Sequence, residues 1–205
     1  MQIKIKHLNK DFECALILGL IIGVFLLPAI NNFVYGSSAL LLDLVSIFIF
    51  PLVSAAGLFF SKIIFAKNKA LLQFIKFALI GVANTAINIG VFNFFVNATG
   101  ITSGLPLVII STVSFFSAVV NSYIWNTHWS FEEGFTNTVY QFEKFFLITF
   151  ISLLVNDIAI IIVISLFNGA FAPKELANIA NIVGILLSMC SNFTGYKYIV
   201  FNKRK

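Results

Sequence analysis

Six long apolar segments dominate this chain, and each approaches or exceeds the roughly 20 residues that cross a bilayer as an α-helix. Only 10% of the residues are charged, whereas a soluble domain carries about 25%. Backbone polar groups inside a bilayer must pair within their own segment, which favours helices. The predicted fold class is therefore an all-α membrane protein with about six transmembrane helices. The segments run approximately over Cys14–Val34, Ala39–Phe60, Phe74–Val96, Leu105–Trp125, Phe145–Phe167 and Leu176–Tyr196.

The positive charges predict the orientation of these helices. Six spans place both termini on one side of the membrane, and this side carries all of the 13 Lys and Arg residues except Lys174. Cytoplasmic loops hold the excess of Lys and Arg in membrane proteins. We therefore expect a multi-pass protein with both termini in the cytoplasm.

Two similar motifs end the fourth and sixth segments. The first is Asn126–Phe131 and the second is Tyr196–Phe201. Each combines aromatic residues with a basic or titratable residue, His128 in the first and Lys197 in the second. Tyr and Trp favour the interface between lipid and water, and a cation there can contact a lipid phosphate while its stem stays apolar. The motifs indicate a duplicated membrane protein in which each half ends at the cytoplasmic boundary.

An internal repeat supports this interpretation. Moving the sequence along itself by a constant number of residues, the first shift, aligns the third segment with the fifth. A slightly larger number of residues, the second shift, aligns the fourth segment with the sixth. Each unit holds two spans, which predicts parallel repeats. Chance matching of apolar residues is the alternative, and the matched Lys and Asn residues argue against it. The aligned pairs include Phe74/Phe142, Lys76/Lys144, Phe77/Phe145, Leu79/Leu147, Ile80/Ile148, Asn84/Ser152, Asn88/Asn156 and Phe131/Phe201.

The predicted domain organisation follows from the repeat. Residues 1–69 form an N-terminal transmembrane hairpin with a basic linker, and residues 70–205 form a four-helix core. Within the core, the first repeat spans 74–131 and the second spans 142–201. The hairpin packs either against the core or against a partner, and both alternatives stay open.

The fourth and sixth segments each have a stripe of small or polar residues at helical spacing. Such a stripe either packs against another helix or lines a substrate groove, and both interpretations stay open. The residues are Ser111, Ser114, Ala118, Asn121 and Trp125 in the fourth segment, and Asn181, Gly184, Ser188, Asn192 and Gly195 in the sixth.

Asp43 and Asp157 are the two acidic residues inside the predicted spans. An ionised carboxylate at the bilayer centre costs about 2.5–3.5 kcal/mol on insertion scales, so a buried acid requires a partner or a function. Asp43 lies near an outer boundary, where it reaches water. Asp157 lies deeper, and both a functional role and a neutral, hydrogen-bonded role stay open for it.

The motifs resemble those of the GtrA-like family of small bacterial membrane proteins. The resemblance covers about Gln73–Phe201 and rests on Gly81, Asn84 and Asn88, on Asn126-x-x-Trp129-x-Phe131, and on Lys197-x-x-x-Phe201. It implies a four-helix core in the bacterial cytoplasmic membrane. It also implies a role in moving polyprenyl-phosphate-linked sugars across that membrane, or in supporting the glycosyltransferase that makes them, for cell-surface polysaccharide.

The chain departs from the family pattern at one position. The family usually has a basic residue just after the position of Asn126, and this chain has Thr127 and then His128. If that cation binds phosphate, the first half is weakened here, or protonated His128 replaces it.

The leading hypothesis is a flippase or carrier of lipid-linked sugar for polysaccharide biosynthesis, without catalytic chemistry. Its ligand needs an apolar flank for the polyprenyl tail, cations for the phosphate, and amides for the sugar hydroxyls. The candidate phosphate-binding residues are Lys76, Lys144, Lys197 and His128. The candidate residues for the remainder of the ligand are Asn126 and Trp129 at the first boundary, and Asn84, Asn88, Asn156, Asp157 and Asn192 deeper in the membrane.

Two other functions stay open. One is a non-catalytic membrane subunit that anchors a polyprenyl-phosphate glycosyltransferase through the connection Glu132–Gln141, and the other is a small-solute or ion exporter that uses Asp157. The sequence has no nucleotide-binding loop, nucleophile–base pair or metal-ligand cluster, and Cys14 and Cys190 lack motif spacing. We therefore expect no enzymatic activity, no cofactor and no metal site. The expected partners are the polyprenyl-phosphate lipid or its sugar conjugate and membrane lipids, but not nucleic acid. A homodimer is compatible with the small volume that four helices enclose.

Overall fold

The computed structural model of the chain describes residues 2–30, 37–101, 104–132, 139–170 and 173–202. Six α-helices occur in these ranges, one for each predicted apolar segment. Each helix begins before its apolar segment, because polar residues such as those at the starts of the first, third and fifth helices also adopt helical geometry. The helices are α1 (Gln2–Ile30), α2 (Ser37–Ile64), α3 (Lys69–Thr99), α4 (Gly104–Trp125), α5 (Val139–Phe167) and α6 (Pro173–Gly195).

Some predicted features lie outside the described residues. They include residues 31–34 at the end of the first predicted segment, most of the polar connection Glu132–Gln141, and the C-terminal charges at 203–205. The side chains of Lys4, Lys6, Lys174 and Asn181 also lie outside the described part.

Four of the described helices are long and apolar enough to cross a membrane. Their spans are Lys10–Ile30, Leu40–Ile64, Lys69–Thr99 and Val139–Phe167. Large apolar side chains remain exposed along them, among them Leu52 at 65% and Ile161 at 64%. Water disfavours such extended apolar surface, whereas lipid accommodates it. The predicted fold class, an all-α membrane protein, is confirmed, and membrane crossing by α4 and α6 stays a prediction.

The chain forms two compact units, Met1–Ser130 and Phe131–Lys205. The first unit contains α1 to α4, and the second contains α5 and α6. In the first unit α1 packs against both α2 and α3, and α3 packs against α4. The N-terminal hairpin therefore packs against the first helix of the predicted core. The predicted domain organisation, an N-terminal hairpin at 1–69 and a core of two repeats at 70–205, stays a prediction.

Close backbone contacts make α1 the central helix of the first unit. A Cβ atom on Gly19 would overlap the backbone of Pro51 in α2, and a Cβ atom on Gly90 of α3 would overlap the carbonyl group of Phe25 in α1. Small residues allow helices in lipid to approach in this way. Trp129 reaches the resulting core from beyond the end of α4. The buried core residues are Ala15, Leu18, Ile22, Ala55, Leu58, Ile80, Ala83, Ala86 and Trp129.

The second unit is held together by ring stacking and by a contact between two hydroxyl groups. The ring of Phe145 on α5 stacks on that of Tyr196, with 4.4 Å between centroids. The hydroxyl oxygens of Tyr196 and Thr149 lie 2.6 Å apart. Phe131 and Phe201, which the repeat aligns, stack on each other with 5.1 Å between centroids. The contacts of Tyr196 tie the chain just beyond the end of α6 to the start of α5.

Candidate functional site

Both predicted boundary motifs form a π turn. The first π turn, Asn126–Ser130, continues directly from α4, and the second, Tyr196–Val200, continues directly from α6. A π turn inserts an extra residue into the helical repeat, and such turns are frequent at functional sites. The shift that places Phe131 on Phe201 also places the first turn on the second. The same unusual backbone at equivalent positions supports the duplication that the sequence predicts.

A glutamine side chain holds each π turn in the same way. Gln73 Nε2 donates a hydrogen bond to the carbonyl oxygen of Ser130 at 2.9 Å, and Gln141 Nε2 donates to that of Val200 at 3.1 Å. The two donors are equivalent under the first shift of the repeat, and the two acceptors are equivalent under the second. These glutamines were not among the predicted site residues. The shift that aligns the lysines at 76 and 144 also aligns them, so the signal was present.

A second pair of equivalent hydrogen bonds joins the two helices of each repeat. Asn121 Nδ2 donates to Asn84 Oδ1 at 2.7 Å in the first unit. Ser152 Oγ donates to Ser191 Oγ at 3.0 Å in the second. Asn84 aligns with Ser152 and Asn121 with Ser191 under the same two shifts. Of the two interpretations of the polar stripes, helix–helix contact therefore applies to Asn121.

In the first unit, three polar groups near the π turn donate to the carboxylate of Asp11. Asp11 accepts from Lys62 Nζ at 2.5 Å and from Lys76 Nζ at 2.6 Å. Trp129 Nε1 donates to Asp11 Oδ1 at 2.7 Å, and Lys76 Nζ lies 5.3 Å from the centroid of the Trp129 ring. We call these four residues the Asp11 cluster. The predicted phosphate ligand Lys76 is thus already paired with a carboxylate of the same chain.

Asn126 and His128 occupy different environments in the first π turn. Asn126 is fully buried, and its Nδ2 donates to the carbonyl oxygen of Ser122 at 2.8 Å. Its Oδ1 is buried without a hydrogen-bond partner among the described residues. His128 is exposed, with Nδ1 2.8 Å from the carbonyl oxygen of Ile124. Of these two predicted site residues, His128 is therefore the one that a ligand can reach from outside.

The second unit presents its two predicted phosphate ligands against aromatic rings. Lys144 Nζ lies 4.3 Å from the centroid of Tyr140. Lys197 Nζ lies 5.5 Å from the centroids of both Phe193 and Tyr198. Neither lysine is paired with a carboxylate in the described part of the chain. Ring faces stabilise a cation without neutralising its charge, so both ammonium groups remain available to an anion.

The stacked rings of the second unit bring these lysines to one level. Lys144 immediately precedes Phe145, and Lys197 immediately follows Tyr196. Because Phe145 and Tyr196 are in direct contact, the lysines leave α5 and the second π turn at the same end of the unit.

The deeper predicted site residues have mixed exposure. Asn88 and Asn156 are half-buried, and Asn156 Nδ2 would lie 2.9 Å from a Cβ atom on Gly184 of α6. Asn192 Oδ1 is buried without a hydrogen-bond partner in the described ranges. Asp157 is exposed on α5. The ligand contacts predicted for these residues, and the shared interior predicted for Asn88 and Asn156, stay predictions.

Comparison with known proteins connects this region to one family. The model of a family described as the GtrA/DPMS transmembrane domain matches residues 76–201. The match includes both π turns and the two lysines Lys144 and Lys197, and it excludes α1 and α2. No curated protein and no solved structure matches the chain significantly.

Proposed function

Because the chain belongs to the family of GtrA/DPMS transmembrane domains, we propose that it binds polyprenyl-phosphate-linked sugars in the membrane and carries them across. The sugars serve cell-surface polysaccharide glycosylation at the bacterial cytoplasmic membrane. The chain acts as a carrier and catalyses no reaction.

The proposal rests mainly on the environment of Lys197. Its ammonium group lies against the rings of Phe193 at the end of α6 and Tyr198 in the second π turn, and no carboxylate of the described residues neutralises it. An interfacial cation of this kind attracts a lipid phosphate, while the ring faces accept the adjoining apolar atoms of the prenyl chain. Lys144 adds a second positive charge at the same end of the unit.

The remainder of the second unit supplies surfaces for the other parts of the ligand. Leu147 and Ile151 on α5 and Leu186 on α6 are exposed apolar side chains, which suit a prenyl tail. The Oδ1 atom of Asn192 lacks a hydrogen-bond partner among the described residues. Asn192 as a residue is only half-buried, unlike Asn126, so a sugar hydroxyl that packs beside it can donate to this atom, which removes the cost of burying an unpaired acceptor.

The test measures binding of a sugar-free polyprenyl phosphate to the purified chain. A hydrogen bond to a charged group is worth about 1.5–3 kcal/mol, so Lys197→Gln should weaken binding roughly tenfold to a hundredfold. Lys197→Arg should retain most of the affinity because it keeps the charge.

Lys69→Gln is the matched control, because Lys69 is exposed at the start of α3. This variant should bind as the unmodified chain does. If a normally inserted Lys197→Gln variant binds with wild-type affinity, Lys197 does not bind the phosphate and only contributes to the orientation of the helices. A subunit that only anchors a glycosyltransferase would show weak lipid binding in every variant.

The exposed carboxylate of Asp157 favours a second candidate function. Asp157 lies on a candidate membrane span, and ionisable residues in such spans commonly mark ion or proton pathways. A small-solute or ion exporter would use this acid, and it would not require a lipid phosphate.

A further inference from the structure

The Asp11 cluster has the composition of an anion-binding site. Two ammonium groups and one indole N–H converge on a single carboxylate, at 2.5, 2.6 and 2.7 Å. The side chains of Asp11, Lys62 and Lys76 are 13, 21 and 19% exposed, respectively. Charge-assisted hydrogen bonds at these distances are the contacts by which proteins hold phosphate oxygens.

The carboxylate in this site comes from the part of the chain that the family model does not match. Lys76 and Trp129 lie inside the matched residues 76–201, whereas Asp11 and Lys62 belong to α1 and α2. The N-terminal hairpin therefore adds both an acid and a second cation to the matched region. With two lysines and one aspartate, the cluster keeps an excess of one positive charge.

The second unit has the equivalent lysine, but no acid among the described residues is paired with it. Lys144 aligns with Lys76, and Ile199 takes the place of Trp129. No ion pair involves Lys144 or Lys197 within the described residues. The two repeats thus differ in the charge around the equivalent lysines, because Lys76 is paired with an anion and Lys144 is paired with none among the described residues.

We infer that the first unit contains a phosphomonoester-binding site, formed by Lys62, Lys76 and Trp129, which the Asp11 carboxylate occupies and closes. The Asp11 carboxylate has a high effective concentration at this site, because it is attached to the same chain and packed in the same core. It therefore competes strongly with an external anion. The assignment of the open phosphate site to the second unit rests on the function proposed above. The occupied site in the first unit rests on the geometry of the Asp11 cluster.

The variant Asp11→Asn tests this inference. Asparagine has nearly the same shape, and its Oδ1 can still accept the Trp129 N–H, but it carries no charge. The two lysines are then left without an anion and should recruit one. The probe is geranylgeranyl phosphate in detergent micelles, and its stoichiometry is counted by native mass spectrometry. The unmodified chain should saturate at about one probe and Asp11→Asn at about two, since each charge-assisted hydrogen bond contributes roughly tenfold to a hundredfold in affinity.

Two further variants make the comparison specific. Glu13→Gln removes the same charge from an exposed position on α1, two residues away, and it should leave the stoichiometry unchanged. Asp11→Asn combined with Lys76→Gln should return the stoichiometry to about one. A parallel titration with inorganic phosphate distinguishes a free anion from a lipid headgroup, because a gain with inorganic phosphate alone would assign the site to free phosphate.

The outcomes separate this inference from the proposed function. One probe per chain in both the unmodified protein and a folded Asp11→Asn variant, with no gain for inorganic phosphate, would overturn the inference and leave the proposed function intact. No probe on the unmodified chain but one on Asp11→Asn would support the inference and refute the proposed phosphate site at Lys197. Two probes on the unmodified chain would overturn the inference even if Asp11→Asn does not fold.

Discussion

Replacing Gln141 by Leu would test how strongly the second π turn depends on its glutamine. Gln141 is 3% exposed, and its Nε2 donates to the carbonyl oxygen of Val200 at 3.1 Å. Val200 is itself 5% exposed, so water does not readily replace the lost donor. Leucine keeps most of the side-chain volume and removes the hydrogen bond.

The expected loss follows from the burial of this carbonyl group. A buried acceptor left without a partner costs about 1–3 kcal/mol in the free energy of unfolding. The matched variant is Gln73→Leu, which removes the equivalent bond of the first π turn. Ser130, whose carbonyl oxygen loses its donor, is 7% exposed, but the Gln73 side chain is only half-buried, so water reaches this position more readily than that of Gln141. A second hydrogen bond between the two residues, from Ser130 Oγ to the backbone carbonyl oxygen of Gln73 at 3.3 Å, also remains in the variant. We therefore expect Gln73→Leu to cost about 0.5–1.5 kcal/mol, the range of an ordinary hydrogen bond.

The assay is reversible unfolding in lipid–detergent micelles, followed by the loss of far-ultraviolet circular dichroism. Gln141→Leu should be the less stable of the two variants. It should also weaken binding of polyprenyl phosphate, because Lys197 lies in the same π turn. Unchanged stability of Gln141→Leu, or a larger loss for Gln73→Leu, would refute the argument from burial.

Two other predictions concern orientation and the intramembrane acid. In a chain whose Cys14 and Cys190 are replaced by alanine, an impermeant thiol reagent applied to intact cells should modify a cysteine introduced at Thr99 and spare one at Asn202; the reverse pattern would invert the predicted topology. Asp157→Asn should leave the binding of sugar-free polyprenyl phosphate unchanged, because Asp157 belongs to the deeper group of site residues. Loss of a pH-dependent ion flux in vesicles that contain this variant would instead favour an exporter.

The sequence by itself determined the helices, the membrane environment and the pairing of equivalent positions. Apolar runs of bilayer length specify spans wherever they occur, because the hydrocarbon interior rejects unpaired backbone groups. The repeat was visible in Lys76 and Lys144 and in Asn88 and Asn156, since polar matches in an apolar background are uncommon. The sequence also indicated that the two π turns are equivalent, because the two boundary motifs have similar spacing.

Only the tertiary structure decided which of the predicted phosphate-binding lysines already has a carboxylate partner. Asp11 and Trp129 are 118 residues apart, and they meet because Gly19 and Gly90 let α1 pack closely between α2 and α3. No local pattern encodes that contact, which depends on the depth and direction at which three helices cross. This packing pairs Lys76 with a carboxylate in the first unit, whereas Lys197 lies against aromatic rings within the second unit, although the sequence presents both as interfacial cations. Helix packing thus decides which charges find a partner within the chain, because an ion pair forms only where the backbones bring its two side chains into contact.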